Sequence, residues 1–247
     1  MNDCHETTEL PIIYRDEQLV AIDKPAGLLV HRSPIDRRET RFALQLLRDQ
    51  IGQRVYPIHR LDKPTSGVLL FALNSSIAAA LSEQFQQRSV AKTYLAVVRG
   101  YCPPSGEVDH AIRDDADKLA GLARGPAREA LTRYRRLASI ELPYAVDRYP
   151  SARYSLVELQ PLTGRKHQLR RHMKHLGYPI IGDANHGKGV HNRFFATELG
   201  VKRLLLSCTE LQLKHPISGE QLCLRAPPSG SFLQLLERFD WVSALSH

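Results

Sequence analysis

Nothing in this 247-residue chain approaches the run of about eighteen apolar residues needed to cross a membrane. Its first residues, with Asp3, Glu6 and Glu9, lack the basic-then-apolar pattern of a secretory leader. Cysteine is scarce. Cys4, Cys102, Cys208 and Cys223 are widely spaced and form no Cys-x-x-Cys pair, which argues against a zinc site and against a disulfide framework. Together these absences predict a cytoplasmic protein with reduced thiols. Also missing are a phosphate-cradling glycine loop, a dinucleotide-binding fingerprint and a His-Glu-x-x-His pair. The clustered carboxylates of a metal-dependent nuclease are absent as well.

What the chain does have is positive charge. Thirty-four lysines and arginines stand against 26 acids, a formal net charge of +8, and such an excess attracts polyanions. The charge is uneven: between Arg165 and Arg193, Lys166, Arg170, Arg171, Lys174 and Lys188 face a single acid, Asp183. A one-signed face on an otherwise mixed protein fits a nucleic-acid footprint, although such blocks are also ordinary solvated surface. His167, His172 and His175 fall in the same block without an accompanying acid or cysteine, so structural or polyanion-facing histidines are expected there, and no metal. Length allows one large domain or two small ones.

Periodicity predicts strands over 19–22, 55–58, 68–73, 94–98, 130–137 and 154–159, with 28–30 resuming an extended course after a turn at Lys24-Pro25-Ala26-Gly27. A hairpin is expected where 211–213 and 221–224 flank 215–220. Helices are predicted over 40–51, from Asn74 or Ser75 to Gln87, and near the C-terminus, where Phe232, Leu235, Leu236 and Phe239 follow i, i+3, i+4, i+7. The clearest helix runs from Thr163 as cap to Leu176, with Leu169, Met173 and Leu176 as its apolar stripe and Gly177 and Pro179 as its stop. On it Arg165, Gln168 and His172 share another face. Residues 101–125 read as loops with a turn-to-strand step at 106–109.

Between two apolar runs, His59-Arg60-Leu61-Asp62-Lys63-Pro64-Thr65-Ser66-Gly67 hangs one carboxylate on a polar loop. Arg60 and Lys63 beside it suit an ionised Asp62, and Pro64 pushes Lys63 out of the helical region and stiffens the chain. By local chemistry alone this is equally a surface loop or an active-site loop.

The stretch resembles the signature of the RluA-type pseudouridine synthases: His-Arg-Leu-Asp, a basic residue, then Thr-Ser-Gly. Asp23-Lys24-Pro25-Ala26-Gly27-Leu28 upstream and Thr163-Gly164-Arg165-Lys166-His167-Gln168-Leu169-Arg170 downstream resemble two further family motifs in the right order. Lys92 to Gly100 resembles the segment that carries the family's active-site tyrosine. The resemblance runs from Leu10 to Trp241. It implies a single α+β pseudouridine synthase catalytic domain over 10–241, with a mixed, mostly antiparallel sheet, flanking helices and a central RNA-binding cleft. Residues 1–9 and 242–247 would be flexible termini.

The same resemblance makes Asp62 the catalytic aspartate, Tyr94 and Arg165 its supports, and Arg60, His167, Gln168 and Arg170 the RNA-binding residues. The implied reaction breaks an N-glycosidic bond, turns the base over and rejoins it through carbon, so no electrons or atoms are exchanged and no cofactor is expected. An ionised Asp62 can attack sugar or base, or stabilise cationic character at the anomeric carbon. Arg165 can orient it, and Tyr94 can assist proton removal, although a tyrosine in an apolar strand is more often a core residue. Arg60 would fill the space of an extruded nucleotide. Pro64, an insertion at 139–153 and Gly164 to His172 are most similar to the subgroup that modifies uridine 65 in the T stem of tRNA. A ribosomal RNA substrate is the alternative, and a catalytically silent RNA-binding module a third reading. A monomer with no obligatory protein partner is expected. Ser207-Cys208 stand where relatives carry His-Ala, which puts only the local packing in question.

Overall fold

The computed structural model describes residues 9–32, 39–113 and 125–245, and the chain divides into two compact units. Cys4, most of the expected flexible termini and positions 114–124 of the expected loop lie outside the described residues. The first unit comprises Met1–Val90 with Glu210–Ala226, the second Ala91–Thr209 with Pro227–His247.

The first unit begins with β1 (Ile12–Arg15), β2 (Leu19–Lys24), α1 (Ala43–Ile51), β3 (Tyr56–Pro57), β4 (Ser66–Ala72) and α2 (Ser75–Gln86). β2 lies between β1 and β4, and β3 also pairs with β4, all antiparallel. Every residue of β4 is buried, which is why its sequence is an unbroken apolar run and not an alternation. The β2–β4 register sets Lys24 opposite Gly67, so the 24–27 turn and the loop carrying Asp62 leave the sheet at one end. Helix α1 starts at Ala43, later than the expected 40, because Phe42 is extended (φ −137°) and forms a bridge with Leu29. The amides of Ala43 and Leu44 then donate to the carbonyls of Leu29 and Val30 (2.8 and 3.0 Å), so 28–30 is a strap on the helix start and not a strand. Of the two candidate caps on α2 it is Asn74 that acts, accepting from the Ile77 amide at 2.9 Å.

The second unit holds β5 (Ala91–Arg99), β6 (Ser105–Asp109), β7 (Ile112–Arg113), β8 (Ala127–Arg128), β9 (Leu131–Leu142), β10 (Ala152–Pro161), α3 (Gln168–His175) and α4 (Gly189–Glu198). Its sheet runs β5-β10-β9-β6, antiparallel throughout, while β7 and β8 pair separately. Residues 139–153 span the end of the β9–β10 hairpin. Strand β11 (Leu206–Lys214) carries the chain from this unit back to the first, where its Glu210–Lys214 half pairs with β12 (Gln221–Arg225), and α5 (Ser231–Arg238) ends in the second.

Alternation along β5 divides the second unit's core. Leu95 and Val97 join Tyr154, Leu156, Phe195, Phe232 and Leu236 on one face, while Ala96 and Val98 join Leu169, Met173 and Ile180 on the other. Ser207 and Cys208 on β11 are both buried. The fold is α+β with a mostly antiparallel sheet, and no helix among the described residues is long and apolar enough to cross a membrane.

Candidate active site

In the first unit, the loop bearing Asp62 is fastened by a lysine. Lys24 is fully buried, and its ammonium donates to the carbonyls of Pro25 (2.8 Å), Leu28 (2.8 Å) and Lys63 (3.2 Å). A buried ammonium is tolerated only when its N–H groups find acceptors, so this geometry holds the 24–28 turn and the Asp62 loop to one point. The Gly27 amide donates to the same Lys63 carbonyl (2.8 Å), at a φ of +89° that favours glycine. The Thr65 amide closes the loop on the Asp62 carbonyl at 3.0 Å. His59 is structural: its Nε2 accepts from the Leu70 amide (3.1 Å) while the ring stacks on Phe85 at 5.2 Å. Lys63 meets Glu39 at 2.7 Å. Asp62 is half-buried at the loop and Arg60 is exposed.

The second unit holds the other expected residues. Tyr94, half-buried on β5, packs against the face of the core that contains Leu169 and Met173. The 163–168 segment departs from expectation: the helix begins only at Gln168, after His167 in the left-handed region (φ 56°). The cause is the Gln168 amide. Its oxygen accepts from the Thr163 hydroxyl (2.8 Å) and the Arg165 amide (3.0 Å), and its nitrogen donates to the Leu131 carbonyl and the Thr132 hydroxyl, both at 3.0 Å. Thr163 therefore belongs to this staple and is not the helix cap, and Arg165 stands on a loop before the helix. Its Nε donates to the Glu129 carbonyl at 3.0 Å.

The staple extends inward. His172 Nε2 donates to the His110 carbonyl (3.0 Å), so its Nδ1 accepts from the Thr132 hydroxyl (3.0 Å), and burial pulls its pKa below the usual imidazole range. Gln168 and His172 do share a face, as the spacing predicted, but that face is turned into the protein. Arg170 is likewise corrected. Only 4% exposed, it forms a bidentate pair with Asp183, Nε to Oδ2 at 2.7 Å and Nη2 to Oδ1 at 2.8 Å. Burial works to raise the Asp183 pKa, but Arg170 and the amides of His186 and Asn185 outweigh it and hold the carboxyl below the usual range. The lone acid of the basic block is thus consumed by Arg170, leaving Lys166, Arg171 and Lys174 uncompensated by any acid within it. His167 remains half-buried, its Nδ1 3.1 Å from His186 Nε2.

Asp62 and Arg60 accordingly belong to the first unit, and Tyr94, Arg165, His167, Gln168 and Arg170 to the second. Sequence reasoning missed Lys24, His59 and Thr132. Lys24 stood in the Asp23-to-Leu28 motif, as a cation ending an apolar strand directly before proline, without a role assigned to it. No group of three or more metal-ligating side chains occurs among the described residues.

The pattern that defines the RNA pseudouridylate synthase family matches residues 18–175, which takes in the Lys24 turn, the Asp62 loop, Tyr94 and the Gln168 staple. The chain belongs to that family, in its RluA type, and is an isomerase. It is similar to tRNA pseudouridine synthase C of Vibrio vulnificus (strain CMCP6), 49% identical over 239 residues, covering 96% of this chain and 98% of the relative. It is 52% identical over 236 residues to tRNA pseudouridine synthase C of Pasteurella multocida (strain Pm70), covering 94% and 97%. Among solved structures, human RNA pseudouridylate synthase domain containing 4 superposes with a TM-score of 0.69 at 28% identity, covering 93% of each chain. Human RNA pseudouridylate synthase domain containing 1 gives a TM-score of 0.69 at 25% identity, covering 94% of this chain and 95% of that one.

Proposed function

We propose that this enzyme isomerises uridine to pseudouridine in tRNA, at uridine 65 of the T stem, with Asp62 as its nucleophile. The observation that carries the reading is the clamp on Asp62: a buried cation and a glycine amide converge on the carbonyl next to it, rigidity that an ornamental surface loop does not need. Relatives at about half identity along nearly the whole chain bear the name tRNA pseudouridine synthase C, which favours tRNA over ribosomal RNA.

On this reading residues 10–241 act as one catalytic domain, as a cytoplasmic monomer without an obligatory protein partner. The target uridine leaves its stack at a cost of about a few kcal/mol, and the exposed Arg60 enters the space it vacates. Asp62 attacks sugar or base, or supports the charge that develops as the glycosidic bond breaks. Arg165 orients the carboxylate and Tyr94 assists proton removal from carbon. Of the four residues expected to bind RNA, Arg60 and His167 keep that role, while Gln168 serves by shaping the loop that carries Arg165 and Arg170 by tying α3 to Asp183.

The test incubates purified protein, with chelator and without added cofactor, with unmodified tRNA and ribosomal RNA transcripts, and maps pseudouridine by chemical labelling. Product at position 65 of tRNA is expected. Product in ribosomal RNA alone would move the substrate, and none in either RNA would leave a silent RNA-binding module.

A further inference from the structure

The 139–153 insertion plays no part in that chemistry, yet it builds something. Asp147 and residues 149–153 form one wall of a cavity of about 470 Å³ within the second unit, closed by Arg99 at the end of β5 with Gly100 and Tyr101, by Tyr178 after α3 and by His191 of α4. That size falls in the range of small-ligand sites, roughly 300–1,000 Å³.

Three features define what would fit. The first is aromatic surface: Tyr101 and Tyr149 are 41% and 53% exposed, and Arg153 and Arg148 already lie over their rings at 5.2 and 5.0 Å, so each ring offers a face to a flat partner. The Tyr178 ring is seated against Gly100, where any side chain would start 3.2 Å from it. The second is charge. Arg99, Arg153 and Asp147 line the cavity, and Arg148, Lys188 and Glu141 contact its lining residues. Asp147 is shared between Lys188 and Arg99, and Glu141 is engaged by Arg153, Ser151 and the Tyr101 hydroxyl. The third is His191. It is only 4% exposed, its Nδ1 is bonded to the Tyr154 hydroxyl at 2.9 Å, and its Nε2 is buried without a hydrogen-bond partner. Such groups are costly to leave unmade, and here the ring lines the cavity. Burial, reinforced by Arg99 and Lys188, pushes its pKa down to about 4, so the ring adds no positive charge to this wall.

We propose that this cavity binds a nucleoside 5′-phosphate unit, with its base against Tyr101 and Tyr149 and its phosphate toward Arg99 and Arg153. The same chemistry has two sources: an unstacked residue of the tRNA itself, which rests on the function proposed above, or a free mononucleotide. Aromatic faces next to arginines hold bases of any sequence, which suits a second grip on a folded RNA.

The test uses the full chain and the variants Tyr149→Ala and Arg153→Gln, both at exposed positions. Each is titrated by calorimetry with unmodified tRNA transcript and separately with UMP, CMP, AMP and GMP, and product formation is followed at saturating protein. A tRNA-derived occupant predicts about tenfold weaker tRNA binding in Tyr149→Ala, retained at high salt because no charge is removed, with saturated turnover unchanged. A free-nucleotide occupant predicts a mononucleotide that saturates the wild type and not the variants, with tRNA affinity unaltered. Equal binding of every probe by all three proteins overturns the proposal. Wild-type product is the separate control: its absence alongside variant-sensitive nucleotide binding would fail the enzyme reading and leave the pocket standing.

Discussion

The loop that carries Asp62 and the loop that carries Arg165 are both rigid, and they are made rigid in opposite ways. Around Asp62 the buried Lys24 ammonium gathers backbone carbonyls from its own turn and from Lys63. Around Arg165 a neutral side chain does the gathering: Gln168 uses its oxygen twice and its nitrogen twice, and passes the network through Thr132 to His172. Among the described residues of the second unit, the buried pair of opposite charge is Arg170 with Asp183. The difference is instructive. A buried ammonium that serves several carbonyls has no substitute of equal reach, whereas a neutral network loses its bonds piecemeal, so the two loops should respond differently to damage.

The largest effect tests whether the charged loop carries the chemistry. Asp62→Asn should bind tRNA with unchanged affinity and form no product in a single-turnover assay; measurable turnover by a clean preparation would place the nucleophile elsewhere. Next comes the matched pair of the second unit. Arg170→Met strands a buried carboxylate and should cost about 3–5 kcal/mol in urea unfolding. Lys24→Met leaves buried carbonyls without donors, and should cost about 3 kcal/mol and remove most activity even where the protein stays folded. Gln168→Leu should cost about 1–3 kcal/mol, and the contrast drawn between the loops breaks if it harms activity more than Lys24→Met does.

The smallest effect concerns pH. His191, faced by Tyr154, Arg99, Lys188 and Asp147, has a pKa lowered to about 4 in the folded state. Its stabilising contribution is therefore present above the ordinary imidazole value of about 6.5 and is lost as pH falls toward 4, because the unfolded chain takes up the proton first. Melting of the wild type should drop by a few degrees relative to His191→Phe over that interval.

Much of this was legible in order and spacing. The apolar run of β4, the Asn74 cap, the alternation of β5 and the stripe of α5 all follow from periods of two and 3.6. Helix α4 escaped because the first member of its buried triad, His191, Phe194 and Phe195, reads as polar. The early start expected for α3 failed because the Gln168 amide competes for the Thr163 hydroxyl and the Arg165 amide, and residues 131 and 132 that complete the bargain lie far off in sequence. Arg170 looked like a surface cation because nothing local reveals that Asp183 is waiting for it.

The sequence by itself determined the family, the residue types fit for the reaction and the net attraction to a polyanion, since these depend on identity and order along the chain. Only the tertiary structure decided which polar groups are spent on holding the protein together, Lys24, Gln168, Arg170 and His172 among them. It likewise assigned the insertion to a cavity wall, because burial and hydrogen-bond partnership are properties of what the fold brings near, and no spacing rule encodes them.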